Sequence, residues 1–430
     1  MATKKVSSAD FTKALAIGRP PTITRLFPHS KALIVSGKVV DRAMIVKGKA
    51  IAMAANGRNQ FVIRGVLRAA QRANAAVIIE IAKSEGGAKA YCAVNFWNIA
   101  LFVDAICNEL GITIPVAVHA DHYGIKNEKD LTTAKSEIPT LFEAGMTSVA
   151  VDASHLPDDA NLLANIALHP YIPHWAGLET EVGEIKGAEG LSTVAEALFL
   201  IQGLNAHDIF PDWIALNNGT THGIEEKDSG IQVSLTADIH QALERYKISG
   251  AQHGTSGNSS ERLLQIAKNT HTTKANVATA LQMISWGVQV NDYGNAILDA
   301  EGKFSKVQGA GVSAELWTEM EAYAQSKSWK KGDYKNLNLP FENKLLAQPK
   351  EIRDRMAKAV EDFAYGMMME VFNSQDTAPL AVEAILQAGS YDLGPKVSRI
   401  ENPAEWTESK MRERAKHLDS GKGQAGNFDD

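Results

Sequence analysis

The chain has 430 residues, of which 45% are hydrophobic and 22% charged, and its formal net charge is −6. That composition fits an ordinary soluble globular protein with a sizeable core; with no basic footprint for nucleic acid and no long Lys/Arg block, an anionic substrate would need local donors. The N-terminal MATKKVSSADFTKALAIG lacks the apolar centre of a secretory signal, no run of about 18 apolar residues suggests a membrane span, and Cys92 and Cys107 show no CxxC spacing, which together point to a cytoplasmic protein with reduced thiols.

Taken in chain order, residues 50–280 alternate short β-rich runs with longer helical patterns. The expected strands are Ala50–Ala55, Ala76–Ala82, Pro115–Asp121, Ser148–Ser154, Leu178–Gly183, Trp213–Gly219, Tyr246–Gly254 and Thr273–Thr279. Helical spacing fills FVIRGVLRAAQRANA (61–75) and NIALFVDAICNELG (98–111), while SSERLLQIAKN (259–269) opens with capping serines. Strand–helix alternation with apolar strands implies a parallel sheet covered by helices. Eight strands in about 230 residues match a (β/α)8 TIM barrel. An open doubly wound sheet would spread the polar strand ends along an edge, whereas a barrel gathers them at one mouth.

Beyond Thr279 the pattern changes. VATALQMISWGVQV should start the helix after the last strand, and residues 287–345 read as a polar excursion with scattered aromatics. PKEIRDRMAKAVEDFAYGMMMEVFNS (349–374) is helical, with Ile352, Met356, Val360, Phe363, Met367 and Val371 on one packing face. DSGKGQAGNFDD reads as a mobile tail. The whole, 1–430, is expected to be one domain: a barrel core at about 50–286, then an extended C-terminal helical and irregular region at 287–430.

Three apolar runs end in histidine: His122 in PVAVHADH, His222 in WIALNNGTTHG and His253 in ISGAQHGTSG. Isolated histidines are more often hydrogen-bonded structural residues, the reading kept for His155, His174, His207, His240 and His271. Three delivered by separate strands to one barrel mouth could instead share a divalent metal with an open position. Asp121 would add a carboxylate. Gly223 and Gly254 would let backbone approach the bound group, and HGTSG (253–257) could cradle a phosphate through backbone N–H groups and the Ser256 hydroxyl. The last strand brings Asn276 and Thr279 to the same mouth. Asp152 ends the fourth strand. Glu179 and Glu181 share one face of the fifth, where at least Glu181 needs a cationic partner.

These residues resemble the class II, metal-dependent fructose-bisphosphate aldolases and their tagatose-bisphosphate relatives. The resemblance rests on Asp121–His122, AVDASHLP, ETEVG, GTTHG, HGTSG and NVAT in that order, over about residues 50–280. It implies a lyase that cleaves a ketose bisphosphate, fructose 1,6-bisphosphate first among them, to dihydroxyacetone phosphate and glyceraldehyde 3-phosphate. His122, His222 and His253 would hold zinc or another divalent ion, with a monovalent cation as an optional companion. Asp152 and Glu181 match an alternative metal position. Asp121 resembles the residue handling the C4 hydroxyl proton, and Glu189 the acidic loop residue that moves a proton at the ketose-derived carbon. Gly223, Gly254, Ser256 and Thr279 match the phosphate site, Asn276 the contact to the hydroxyl-bearing carbons, and Asn56 an active-site asparagine. The family further implies a homodimer or homotetramer acting on small molecules, without nucleic acid or membrane.

The chain departs from the family pattern at Ala278, where many fructose-specific members carry Asp, at Ala280 and at Lys186. These leave tagatose bisphosphate or another ketose phosphate as alternative substrates, and Arg353 and Arg355 as candidates for the second phosphate. A metal-dependent hydrolase on the same barrel, or a non-catalytic sugar-phosphate-binding barrel, would leave HGTSG and NVAT, or Asp121 and the histidines, without a use.

Overall fold

The computed structural model describes residues 6–183, 190–219, 230–255, 258–292 and 294–418. Eight parallel strands close into a barrel in sequence order: β1 (Ala52–Asn56), β2 (Val77–Ala82), β3 (Val116–Gly124), β4 (Ser148–Asp152), β5 (Gly177–Val182), β6 (Trp213–Leu216), β7 (Ser249–Gln252) and β8 (Thr272–Val277). Each lies within about three residues of an expected run. Pairing of Ala54 with Ile78 on one side and Asn276 on the other closes the ring. The barrel read from the sequence is the fold observed.

Alternation along each strand sorts the side chains into two clusters. Met53, Ala55, Ile79, Ile81, Val116, Val118 and Ala120 pack outward beneath the helices. Ala52, Ala54, Ile78, Ala117, Ala215 and Ala251 face inward with Trp213. Small interior side chains leave room that is filled from below. The helix Gly37–Lys47, absent from the sequence reading, contributes Val39, Val40 and Ala43 to this inner cluster. Its first residue must be glycine, because a Cβ at Gly37 would stand 2.9 Å from the Ser148 side chain and 3.0 Å from Trp213. The Trp213 indole donates to Thr273 Oγ1 at 2.8 Å, so its one polar atom is satisfied in the interior.

After β8 the chain makes only a short helix, Thr279–Ser285. The excursion that follows carries antiparallel bridges (Val288 with Lys306, Leu298 with Phe304) and the helices Ala314–Ser326 and Asn338–Leu346. It builds its own core from Trp286, Phe304, Trp317, Met320 and Phe341. The helix Lys350–Gly366 then returns to the barrel and lies along Gln60–Ala73. On its expected face Met356, Val360 and Val371 are buried, while Ile352, Phe363 and Met367 are half-buried. Past this helix Met367–Val371 is π-helical. Cys92 and Cys107 are free and buried. Among the described residues no helix is long and apolar enough to cross a membrane.

The two barrel helices touch backbone to backbone at Gly65, where a Cβ would stand 2.5 Å from the Ala357 carbonyl oxygen. Gly65→Val should therefore lower stability by about 1–3 kcal/mol through overpacking. Urea denaturation followed by circular dichroism checks this, and an unchanged midpoint would contradict so tight a contact.

Candidate metal and active site

Strict alternation would send Asp121 and His122, neighbours on β3, to opposite faces of the sheet. The strand avoids this with a register shift against β4 between Ala120 and Tyr123. His122 itself adopts φ of 41°, a left-handed conformation unusual for a non-glycine residue. Both side chains thereby reach one buried group with His253, with one ligand atom from each residue lying within 4.8 Å of the others. The two imidazoles cross edge to face with ring centroids 4.2 Å apart.

Asp152 and Glu181 close the group from β4 and β5. Their carboxylates each lie 3.5 Å from His122 Nδ1, and Glu181 Oε2 is 4.0 Å from His253 Nδ1. The cationic partner of Glu181 is thus His122. Asp152 is fixed from behind, since Ser154 donates its backbone N–H and its hydroxyl to Oδ1. Across the group His253 Nε2 meets Glu179 Oε1 at 2.7 Å. His253 Nδ1 and Glu181 Oε2 are buried and have no hydrogen-bond partner among the described residues. The orphaned His253 nitrogen and Glu181 oxygen, turned toward one another beside Asp152 and His122, belong to a donor set that a divalent cation would take, and these residues fit one.

Asp121 is 1% exposed. Asn276 donates to its Oδ1 at 2.9 Å and Asn56 to its Oδ2 at 3.4 Å. Burial would raise its pKa, but the charges of His122, Lys274 and His253 outweigh that and hold the carboxyl well below its usual range. Burial likewise opposes a charge on His122, yet Asp121 and Glu181 raise its pKa well above the ordinary imidazole value, with the neighbouring Asp152 carboxylate adding to them. Glu181 is pushed up by burial and by Asp152.

Beneath this group the barrel interior holds residues that the motif reading missed. Lys274, 0% exposed, lies between Glu80 and Glu179 at 3.1 and 3.0 Å. Burial would raise the Glu179 pKa, but Lys274 and His253 hold it at about 2. His119, hydrogen-bonded to Ser148 Oγ at 2.8 Å, is lowered to about 3 by burial and by Lys274, so its imidazole is neutral. Arg58, at the end of β1, pairs with Glu85 at 2.6 Å and reaches Gln282 at 3.0 Å and Thr279 at 3.4 Å. Glu85 also accepts from Asn56 at 2.8 Å. A signal for two of these existed, because His119 and Lys274 each stand two residues from an expected site residue on the same strand and so share its face.

Gly254, with φ of 60°, is half-buried beside His253, and its carbonyl accepts from Asn258 at 2.9 Å. Thr279 is half-buried at the same mouth. His222, Gly223, Ser256, Glu189 and Lys186 lie outside the described residues, as does the tail from 419. Arg355 donates to the carbonyls of Gly311 and Val312 and so fastens the excursion; Arg353 is exposed. A separate cleft of about 790 Å³ opens at the opposite end of the strands, beside Lys49, Lys247, Ser249 and Thr272, away from all these groups.

Comparison with known proteins places this geometry in context. The family model of class-II fructose-bisphosphate aldolase matches residues 38–376. A fructose-bisphosphate aldolase of Staphylococcus aureus is 33% identical over 174 residues, which cover 39% of this chain and 56% of that protein. A sulfofructosephosphate aldolase of Alkalicoccus urumqiensis is 28% identical over 221 residues, covering 49% of this chain and 70% of that protein. The chain thus spans just over half the length of the first curated relatives it matches. Among solved structures, the YdjI aldolase of Escherichia coli K12 aligns over 79% of this chain and 97% of its own with TM-score 0.52 at 17% identity. Fructose-bisphosphate aldolase of Campylobacter jejuni aligns over 80% and 97% with TM-score 0.53 at 16% identity. At such identities these structures speak to the fold alone.

The raised pKa of His122 has a measurable consequence. A metal ligand must be the neutral imidazole, whereas without metal His122 is protonated at pH 7. Binding of a divalent ion should therefore release about one proton, and apparent affinity should fall about tenfold per unit as pH drops below the His122 pKa. Calorimetric titration with Zn²⁺ in buffers of different ionisation enthalpy counts that proton. Zero release at pH 7 would contradict a charged His122.

Proposed function

The chain belongs to the class-II fructose-bisphosphate aldolase family, and from that premise we propose that it is a metal-dependent lyase that reversibly cleaves a ketose bisphosphate. Fructose 1,6-bisphosphate is the first candidate, giving dihydroxyacetone phosphate and glyceraldehyde 3-phosphate. The observation that carries the reading is the convergence of His122, His253 and a buried, ionised Asp121 at one barrel mouth.

In this reading His122, His253 and His222 hold a divalent ion, zinc or another, with Asp152 and Glu181 as an alternative position for it. When bound, that ion supplies Lewis-acid stabilisation of negative charge at the substrate C2 oxygen. Asp121 takes the proton of the C4 hydroxyl as the C3–C4 bond breaks and returns it in the condensation direction. Its geometry suits that role, because two amides fix its orientation and the surrounding cations hold it in the ionised form. Asn276 spends one amide hydrogen on Asp121 and its oxygen on Lys274, which leaves one hydrogen for a substrate hydroxyl. Gly223, Gly254, Ser256 and Thr279 are assigned to the phosphate, Asn56 to orientation of Asp121, and Glu189 to proton transfer at the ketose-derived carbon. Phosphate clamping would fix the triose so that only the reacting carbons move.

The substrate is a finer assignment. The sulfofructosephosphate aldolase relative and Ala278 support a second reading, a tagatose bisphosphate or other ketose phosphate. The same reading treats residues 1–430 as one unit, acting as a homodimer or homotetramer in the cytoplasm.

Coupled cleavage assays with fructose, tagatose and sedoheptulose bisphosphates and 6-deoxy-6-sulfofructose 1-phosphate should show turnover of at least one. EDTA should abolish it, and borohydride added with substrate should not inactivate the protein. Full activity without metal, or borohydride trapping, would sink the proposal. Asp121→Asn should retain bound metal while turnover falls about 10²–10⁴-fold; loss of metal instead would make Asp121 a ligand.

A further inference from the structure

We infer that Lys274 is a positioning residue, an internal cation that fixes both the proton-transferring carboxylate and a metal-binding imidazole from beneath the site. This rests on the metal-dependent reading above, although its first readout does not need substrate. Lys274 stands on β8 with no exposed surface. Its ammonium lies 3.1 Å from Glu80 on β2, 3.0 Å from Glu179 on β5 and 3.8 Å from Asp121 on β3, and donates to Asn276 Oδ1 at 2.7 Å. One side chain thus ties four of the eight strands at the level just under the mouth.

Two of those ties lead directly to working groups. Asn276, gripped through its oxygen, turns its amide nitrogen to Asp121 Oδ1. Glu179, gripped through Oε2, presents Oε1 to His253 Nε2 at 2.7 Å, which leaves Nδ1 as the nitrogen facing Glu181. The ring nitrogen that binds metal is commonly set by the partner of the other nitrogen. Glu80 alone leads to no working group, and burial with the charge of Asp121 pushes its pKa well up.

A stabilising role by itself explains this poorly. Burying an ammonium and three carboxylates carries a desolvation penalty that their attraction often fails to exceed, and well-packed apolar residues commonly serve a core better. The strand neighbours in register with Lys274 are the apolar Ala52 and Ala251, so the ammonium gains its polar contacts only across the barrel and from Asn276.

The test pairs Lys274→Met with Glu80→Gln, which removes the ammonium together with the one partner that leads to no working group. Zn²⁺ affinity, read by competition with a chromophoric chelator, should weaken about 10–100-fold, and kcat should fall about 100-fold with KM changed less than about threefold. The visible spectrum of the Co²⁺-loaded variant should shift, reporting altered ligand geometry. A folded double variant with wild-type metal affinity and kcat would reduce Lys274 to a core ion pair and overturn the inference. Should that variant fail to fold, Glu179→Gln severs only the leg to His253 and is nearly isosteric. It should weaken Zn²⁺ about tenfold, and unchanged affinity would equally overturn the inference. A wild-type protein that binds Zn²⁺ but cleaves no ketose phosphate would defeat the proposed reaction while leaving the affinity comparison intact.

Discussion

The break in alternation at His122 is the constraint on which the site depends. A barrel strand can offer its interior only every second residue, so a carboxylate and an imidazole adjacent in sequence cannot both face the mouth without a local rearrangement. The register shift between Ala120 and Tyr123 and the left-handed His122 provide it. A residue held with positive φ usually carries a conformational penalty, and such strain persists where surrounding contacts determine it. Here those contacts are the carboxylates of Asp152 and Glu181, which hold the ring from β4 and β5. The close spacing of Asp121, His122 and His253 follows from one backbone deviation stabilised by the charges it brings together.

The interior beneath explains why so many ionisable groups can be buried at one level. The surrounding barrel is lined by alanines and filled by Trp213 and by the helix Gly37–Lys47, and Glu80, Glu179 and Lys274 have no exposed surface. Without solvent each carboxylate must find a partner inside. Glu179 finds Lys274 and His253, Glu80 finds Lys274, and Glu85 finds Arg58. The remaining acceptors, Asp152 and Glu181, face imidazoles and have no Lys or Arg against them among the described residues. The carboxylates served by fixed cations thus surround the site, and those left to the histidines stand where an exchangeable cation would be held.

Much of this was legible in the sequence, and the remainder was hidden for identifiable reasons. The eight strands showed because their outward faces are runs such as Val77, Ile79 and Ile81, and the histidines showed because they end such runs. The helix Gly37–Lys47 gave no amphipathic signal, since Val39, Val40, Ala43 and Met44 are buried around with Lys38 and Asp41. Lys274 was missed because a lysine in a strand ordinarily marks a solvent-facing position. It becomes informative only once the partner carboxylates of three other strands are placed. The bulge at His122 has no sequence marker, as neither glycine nor asparagine stands there. The helix expected after β8 forms but is short, because the excursion takes over the chain at Trp286, whose side chain joins the excursion core.

That excursion is joined to the site through backbone and amide contacts. Asn59, which caps the helix Gln60–Ala73, also reaches Ser285 at 3.3 Å and Asn338 at 3.4 Å. The backbone N–H of Leu339 bonds the Tyr91 carbonyl at 3.0 Å, and the Tyr91 ring lies under both Arg58 and Lys335. Arg58 holds Glu85, Glu85 holds Asn56, and Asn56 donates to Asp121. The loops after β1 and β2 are therefore braced from outside by the inserted segment and from within by the carboxylate they help to orient. A segment that adds no ligand to the site still limits how far its first wall can move.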